Sequence, residues 1–240
     1  MKWPGGKRLL VNQITNRFPR AFGTYYEPFF GGGAVFFATL PERAVIADVN
    51  ADLMNCYQVV KEFPGQLIDL LKGWKNSSED YYRIRDYRPR TDLRRAARFL
   101  YLTRLSFNGI HRVNRRGEFN VPYGQRPSYP VVDEEMLQSA SEALVQTTIL
   151  ACDFEKATKS ATSGDLVYFD PPYTVAHANN GFVKYNERIF SWADQERLSA
   201  HAKALAGKGC AVLVSNADHP SVRSLYKGVA LPPEIRSTTI

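Results

Sequence analysis

The feature that most constrains this chain is a set of short, almost wholly apolar runs. They are "TYYEPFF" (24–30), "AVIAD" (44–48), "DLVYFD" (165–170) and "CAVLVSN" (210–216), with "TTILACDF" (147–154) as a fifth. None alternates apolar with polar residues, so both faces of each strand must be covered, as in a parallel sheet flanked by helices. Helix signals follow several of them. Asn50 is placed to cap a helix in which Leu53, Tyr57 and Val60 recur at helical spacing. Ser191 with Asp194 three residues on has the form of a capping box ahead of Leu198, Ala202 and Leu205. Strand–helix alternation at both ends predicts an open α/β sheet.

Residues 63–145 break that rhythm. They hold one long helical pattern (Leu93, Ala97, Leu100) and then a turn-rich basic stretch, which predicts a second, inserted subdomain between sheet-forming segments 1–62 and 146–240. The insert also concentrates the charge. Between Arg83 and Arg126 lie twelve arginines, no lysine and three acids, nine net positive charges in a chain whose total is +7. Arginine in preference to lysine suits planar, bidentate contacts to phosphates and base edges, so this segment is expected to bind nucleic acid.

Other classes are disfavoured. Cys56, Cys152 and Cys210 are far apart and form no CxxC or Cys/His cluster, so neither a zinc site nor a disulfide framework is expected, and a reducing cytoplasm fits. No apolar stretch reaches membrane-spanning length, and "MKWPGGKRLL" lacks a signal-peptide core.

Two motifs carry chemistry. "EPFFGGGAVF" sets Gly31, Gly32 and Gly33 where a strand turns into a helix, letting backbone pass close to a ligand. Asp48 ends the next strand 15 residues later, a placement that suits a carboxylate accepting hydrogen bonds from ribose hydroxyls, or one that caps a helix. No GxGxxG fingerprint is present, and Lys7 of "PGGK" is followed by Arg8, so neither a nicotinamide site nor a Walker A loop is indicated. In "DPPY", Asp170 offers a carboxylate at the end of an apolar strand, and burying it alone would be costly. Pro171 and Pro172 fix the backbone behind it, and Tyr173 offers a face on which a flat base can stack. A carboxylate and the Pro171 carbonyl, each accepting a hydrogen of a conjugated amine such as adenine N6, localise its lone pair toward an electrophile.

With "KWPGGK" (2–7), "EPFFGGGAVF", "ADVN" (47–50), "FNGIHRVNRRGEFNVPYG" (107–124), "DFE" (153–155) and "DPPY" in that order, the chain resembles the Dam-type, D12-class DNA adenine N6-methyltransferases over nearly its whole length. The resemblance implies a Rossmann-like methyltransferase sheet with an inserted, mainly helical DNA-recognition subdomain carrying a β-hairpin. It implies S-adenosylmethionine as donor, duplex DNA as substrate, adenine in a GATC-like site, and base flipping, as in restriction–modification enzymes. Carried over by position, Trp3, Lys7, Phe30, Gly31, Gly32, Gly33, Asp48, Asp153, Phe154 and Asp170 would contact the cofactor. Asp170, Pro171, Pro172 and Tyr173 would act on the target amine. Trp3 and Phe154 are equally readable as core residues.

The basic segment "FNGIHRVNRRGEFNVPYG" has a turn signal at Asn114-Arg115-Arg116-Gly117, which predicts a β-hairpin able to enter the major groove. Within it, Arg112 is placed to bridge a guanine, Arg115 and Arg116 to meet phosphates, and Pro122 to touch a thymine methyl. The resemblance implies that Phe107, Asn108 and Ile110 press into the duplex beside the extruded adenine, that Asn114 contacts DNA, and that Lys2 reads a base. His111 is assigned no role. The loop at 174–190 is expected to act as a lid. Family members run on past Ile240 with another basic turn and a closing strand, so the far sheet edge departs from the pattern. The protein is expected to be a monomer. Two alternatives stay open: transfer to another acceptor (cytosine N4, RNA or a protein amide), and a DNA-binding regulator with a vestigial site.

Overall fold

The structure is a computed structural model and describes residues 3, 5–114, 116–126, 128–174 and 190–228. Lys2, Arg115, residues 175–189 of the expected lid and the C-terminal tail lie outside the described residues.

Among the described residues, five strands form one wholly parallel sheet in the order β3-β2-β1-β4-β5. They are β1 (Tyr25–Glu27), β2 (Ala44–Asp48), β3 (Thr147–Ala151), β4 (Leu166–Phe169) and β5 (Ala211–Val214). The apolar runs behave as the absence of alternation requires. Tyr25, Ala44, Ile46, Leu166 and Tyr168 point into one hydrophobic cluster, while Tyr26, Val167 and Phe169 point into the other. Helices α8 (Phe154–Ala157), α9 (Trp192–Gly207) and α10 (Pro220–Leu225) supply the second cluster. The first receives α1 (Val11–Thr15), α2 (Ala34–Thr39) and α3 (Ala51–Glu62).

Four of the five strands are shorter than the sequence predicts, and only β2 fills its run. Strand β1 stops at Glu27 because Pro28 has no N–H to continue a ladder. Strand β3 stops at Ala151 because Asp153 caps α8, accepting from the Glu155 N–H at 3.0 Å. The two expected caps are present. The Asn50 side chain accepts from Leu53 N, and Ser191 with Asp194 forms a reciprocal capping box.

Among the described residues, 63–145 hold four α-helices rather than one, α4 (Pro64–Lys72), α5 (Ser78–Asp86), α6 (Asp92–Leu105) and α7 (Glu134–Leu144), with a 3-10 turn at Phe107–Gly109. The Leu93–Leu100 pattern is α6. Ser77 and Asp133 cap α5 and α7 with side-chain acceptors, and Pro64 begins α4. Helix α6 packs on α3, so the buried cluster is continuous from Ile46 through Leu53 to Ala97, Tyr81 and Leu67. The basic motif is a narrow ribbon held by single bridges, Val113 to Phe119 and Ser106 to Tyr123, rather than by regular strands.

Asp165 ties the start of β4 to its neighbours. Its carboxylate accepts from Thr24 N at 2.8 Å and Thr162 N at 2.9 Å, and it is nearly buried. Asp165→Ala strands two amide donors and is expected to lower the unfolding free energy by about 2–4 kcal/mol in urea denaturation.

Candidate active site

The chain runs β1→β2→β3 in one direction, then returns past β1 to β4 and β5 on the other side. The carboxyl ends of β1 and β4 therefore flank the point where strand order reverses, the place where open α/β sheets form ligand crevices. The glycine loop, Asp48 and DPPY stand there, at the ends of adjacent β2, β1 and β4.

The glycine loop leaves β1 and enters α2 through left-handed backbone at Gly31 (φ 48°) and Gly33 (φ 66°). A Cβ at Gly31 would lie 2.7 Å from the Trp3 ring, and one at Gly33 2.6 Å from the Phe30 ring. Side chains are thus excluded on both counts. Asp48 grips this loop from β2: Oδ2 accepts from Gly31 N at 3.1 Å and Oδ1 from Asn50 N at 2.9 Å. The helix cap itself is Asn50, and burial raises the Asp48 carboxyl above its ordinary value. Tyr57 on α3 donates its hydroxyl to Gly31 O at 3.1 Å, and Phe30 packs edge-on against the Tyr57 ring.

Asp170 follows β4 directly. Its Oδ1 lies 2.7 Å from Lys7 Nζ, with the two side chains 15% and 10% exposed, so the N-terminal motif supplies the counter-charge for a nearly buried anion. The same ammonium sits 4.6 Å from the centre of the Tyr173 ring. Burial pushes the Asp170 carboxyl up to about 6; Lys7 and the Tyr173 hydroxyl pull it back down.

Other predicted cofactor residues divide. Trp3 stacks on His111 (5.2 Å) and Phe99 (6.1 Å) and covers Gly31. Gly32 is partly exposed, whereas Phe30 is buried. Phe154 is buried in the second cluster, stacked on Phe29 and covered by Arg197, whose guanidinium carbon is 4.4 Å from the ring centre. Asp153 receives that guanidinium in a bidentate pair, at 2.9 and 3.2 Å.

On the ribbon, Phe107 (53% exposed) and Ile110 (39%) present apolar side chains to solvent, with Asn108 between them in left-handed backbone (φ 55°). Arg112 is exposed and braced through Nε by Asn120 Oδ1 at 2.9 Å. Asn114 is occupied within the turn: its Oδ1 accepts from Arg116 N and Glu118 N, and its Nδ2 donates to Glu118. Arg116 and Pro122 are exposed.

Glu27 was missed in the sequence, although an acid inside "YYEPFF" is itself a signal. It is buried, takes the Tyr25 hydroxyl at 2.8 Å, and is held by burial up to about 8, so it keeps its proton at neutral pH. Arg197 was missed as well, its spacing on α9 being that of any surface arginine.

A model of the family described as D12 class N6 adenine-specific DNA methyltransferase matches residues 3–240. This chain belongs to that family. This D12 methyltransferase is 44% identical to the type II methyltransferase M1.LlaDCHI of Lactococcus lactis subsp. cremoris, over 94% of this chain and 83% of that relative. It is 35% identical to the type II methyltransferase M.MjaIII of Methanocaldococcus jannaschii, over 90% and 83% of the two chains. The DNA adenine methylase of Serratia marcescens is 37% identical, over 96% and 87%. The activity is thus adenine-specific methylation of DNA, and the D12 sheet is the Rossmann-like parallel sheet the motifs implied. Among the described residues there is no cluster of three or more His, Cys, Asp or Glu able to hold a metal, and no helix long and apolar enough to cross a membrane.

Gly33→Ala forces a side chain into left-handed backbone against two aromatic rings. It is expected to cost about 1–3 kcal/mol, read as a fall in thermal midpoint.

Proposed function

We propose that this enzyme transfers a methyl group from S-adenosylmethionine to adenine N6 in a GATC-like site of duplex DNA, after extruding the base. The observation that carries this reading is the meeting of the glycine loop, Asp48 and Asp170 at the reversal point of the sheet. A glycine turn packed under aromatic rings at the reversal point, beside a carboxylate at the end of the neighbouring strand, suits a nucleoside-containing cofactor. Gly31–Gly33 would border its methionine part, Asp48 its ribose, and Trp3 and Lys7 the approach from the N-terminus. Asp153 and Phe154, tied to Arg197, support the wall on the β3 side. When bound, S-adenosylmethionine supplies a methyl group on a positively charged sulfur.

The protein's own part is to prepare the amine. The Asp170 carboxylate and the Pro171 carbonyl accept the two N6 hydrogens, turning the lone pair out of conjugation with the ring. Pro171 and Pro172 hold the second acceptor in place without an N–H of their own. Tyr173 stacks on the base, and Lys7 keeps Asp170 ionised. Residues 63–145 act as the target-recognition subdomain, and residues 1–62 and 146–240 as the catalytic domain. Exposed Phe107 and Ile110 fill the space the base vacates, Arg112 reads a guanine, and Arg116 meets phosphate.

Plasmid treated with the enzyme and cofactor is expected to resist a GATC cutter blocked by adenine methylation while staying sensitive to one that is not. Unchanged sensitivity to both refutes the proposed site.

Because Asp170 acts as a hydrogen-bond acceptor, its protonated form is inactive. Methyl transfer is therefore expected to fall as pH drops through about 6. Lys7→Gln removes the group that pulls this carboxyl down, so the acid limb should move to higher pH at saturating cofactor. A pH–rate profile of single-turnover transfer reads both outcomes.

Arg112→Ala is expected to cost about 1–3 kcal/mol of discrimination at one base pair. Arg116→Ala should weaken binding to all sequences alike and flatten its salt dependence. Titrations of matched and mismatched duplexes at several salt concentrations separate the two.

A further inference from the structure

Behind the DPPY turn lies a chain of side-chain amides, one of them fully buried, that packing alone does not call for. Gln195 on α9 is fully buried, on the same helical face as Leu198, Ala202 and Leu205. An apolar side chain is what that face otherwise takes. Gln195 instead donates Nε2 to the carbonyl of Pro172 at 3.1 Å. Its Oε1 accepts from Asn216 Nδ2 at 2.8 Å, and Asn216 Oδ1 accepts from Ala217 N at 2.8 Å, just past β5. Each amide uses a donor on one side and an acceptor on the other. The chain of bonds therefore runs in one direction, from the end of β5 through α9 to the turn. A buried amide is costly unless its bonds are made, and here the bond it makes is to the second proline of the motif.

We infer that Gln195, oriented by Asn216, is a positioning residue for methyl transfer: it fixes the Pro172 carbonyl and through it the directions of the Pro171 carbonyl and the Asp170 carboxylate. Asp170 and Pro171 each precede a proline and so favour extended backbone, where consecutive carbonyls diverge. Drawing the Pro172 carbonyl inward therefore sets where the Pro171 carbonyl points. The prolines restrict φ, and the Gln195 bond fixes the remaining rotation. This inference rests on the reading of Asp170 and Pro171 as the paired acceptors of the target amine.

The test is Gln195→Met, which keeps the bulk but has no group to donate to the Pro172 carbonyl, with Gln195→Leu as a second apolar variant. Single-turnover transfer is measured at saturating cofactor and duplex and expressed per cofactor-binding molecule, alongside duplex affinity and thermal midpoint. Both variants are expected to lose roughly 30- to 100-fold in transfer rate. Duplex affinity should stay within about twofold, because no DNA contact is touched. Asn216→Leu should act in the same direction, and the double variant with Gln195→Met should be no worse than the worse single one. A wild-type rate per binding-competent molecule in both Gln195 variants, whatever their melting temperatures, overturns the inference. Asp170→Ala keeps the two failures apart. If that variant transfers normally, the reading of the acceptor pair is at fault. If it is inactive while the Gln195 variants are normal, only the positioning role falls.

Discussion

The arrangement turns on keeping one carboxylate charged where water hardly reaches. Strand β4 is buried from Leu166 to Phe169 and ends in Asp170, whose natural tendency there is to take up a proton. The N-terminal motif answers with Lys7, 2.7 Å away and itself nearly buried. The lysine does more than balance charge. It ties the first residues of the chain to the centre of the sheet and brings Trp3 over the glycine loop. Truncating either partner would leave the other as an unpaired buried charge, a cost well above that of a surface ion pair.

Three acids end three neighbouring strands, and their surroundings give them different states. Glu27, sealed under the loop with the Tyr25 hydroxyl, holds its proton at neutral pH. Asp170, paired with Lys7, sits near 6. Asp48 is raised by burial but accepts two backbone N–H bonds that favour its charge. The sheet brings the three residues to the ends of adjacent strands, and local partners set their protonation differently. Glu27 is then bound to Tyr25 and the start of α2, Asp48 grips the glycine loop, and Asp170 is the acceptor proposed for the target amine.

The sheet was legible because its strands are fully buried, which leaves runs that no amphipathic element would show. The caps at Asn50 and Ser191 were equally plain. Less legible were helices α4, α5 and α7, whose short patterns depend on packing against α3 and α6. The ribbon proved irregular because Asn114 closes its turn with side-chain bonds, so that few ladder pairs are needed. Within the site, Asp48, Asp170 and the glycines could be read from their places at strand ends. Arg197 and Gln195 could not, because their partners are distant in the chain, Asp153 for one and Pro172 for the other; Glu27, held by nearby Tyr25 and Phe36, shows in the sequence only as an acid inside an apolar run.

A crystal structure with duplex DNA and an unreactive cofactor analogue would show where the target amine sits relative to Asp170 and Pro171. We expect an extruded adenine stacked on Tyr173, with N6 about 3 Å from both an Asp170 oxygen and the Pro171 carbonyl. An adenine left in the helix, or an N6 bonded to neither of those oxygens, would contradict this expectation.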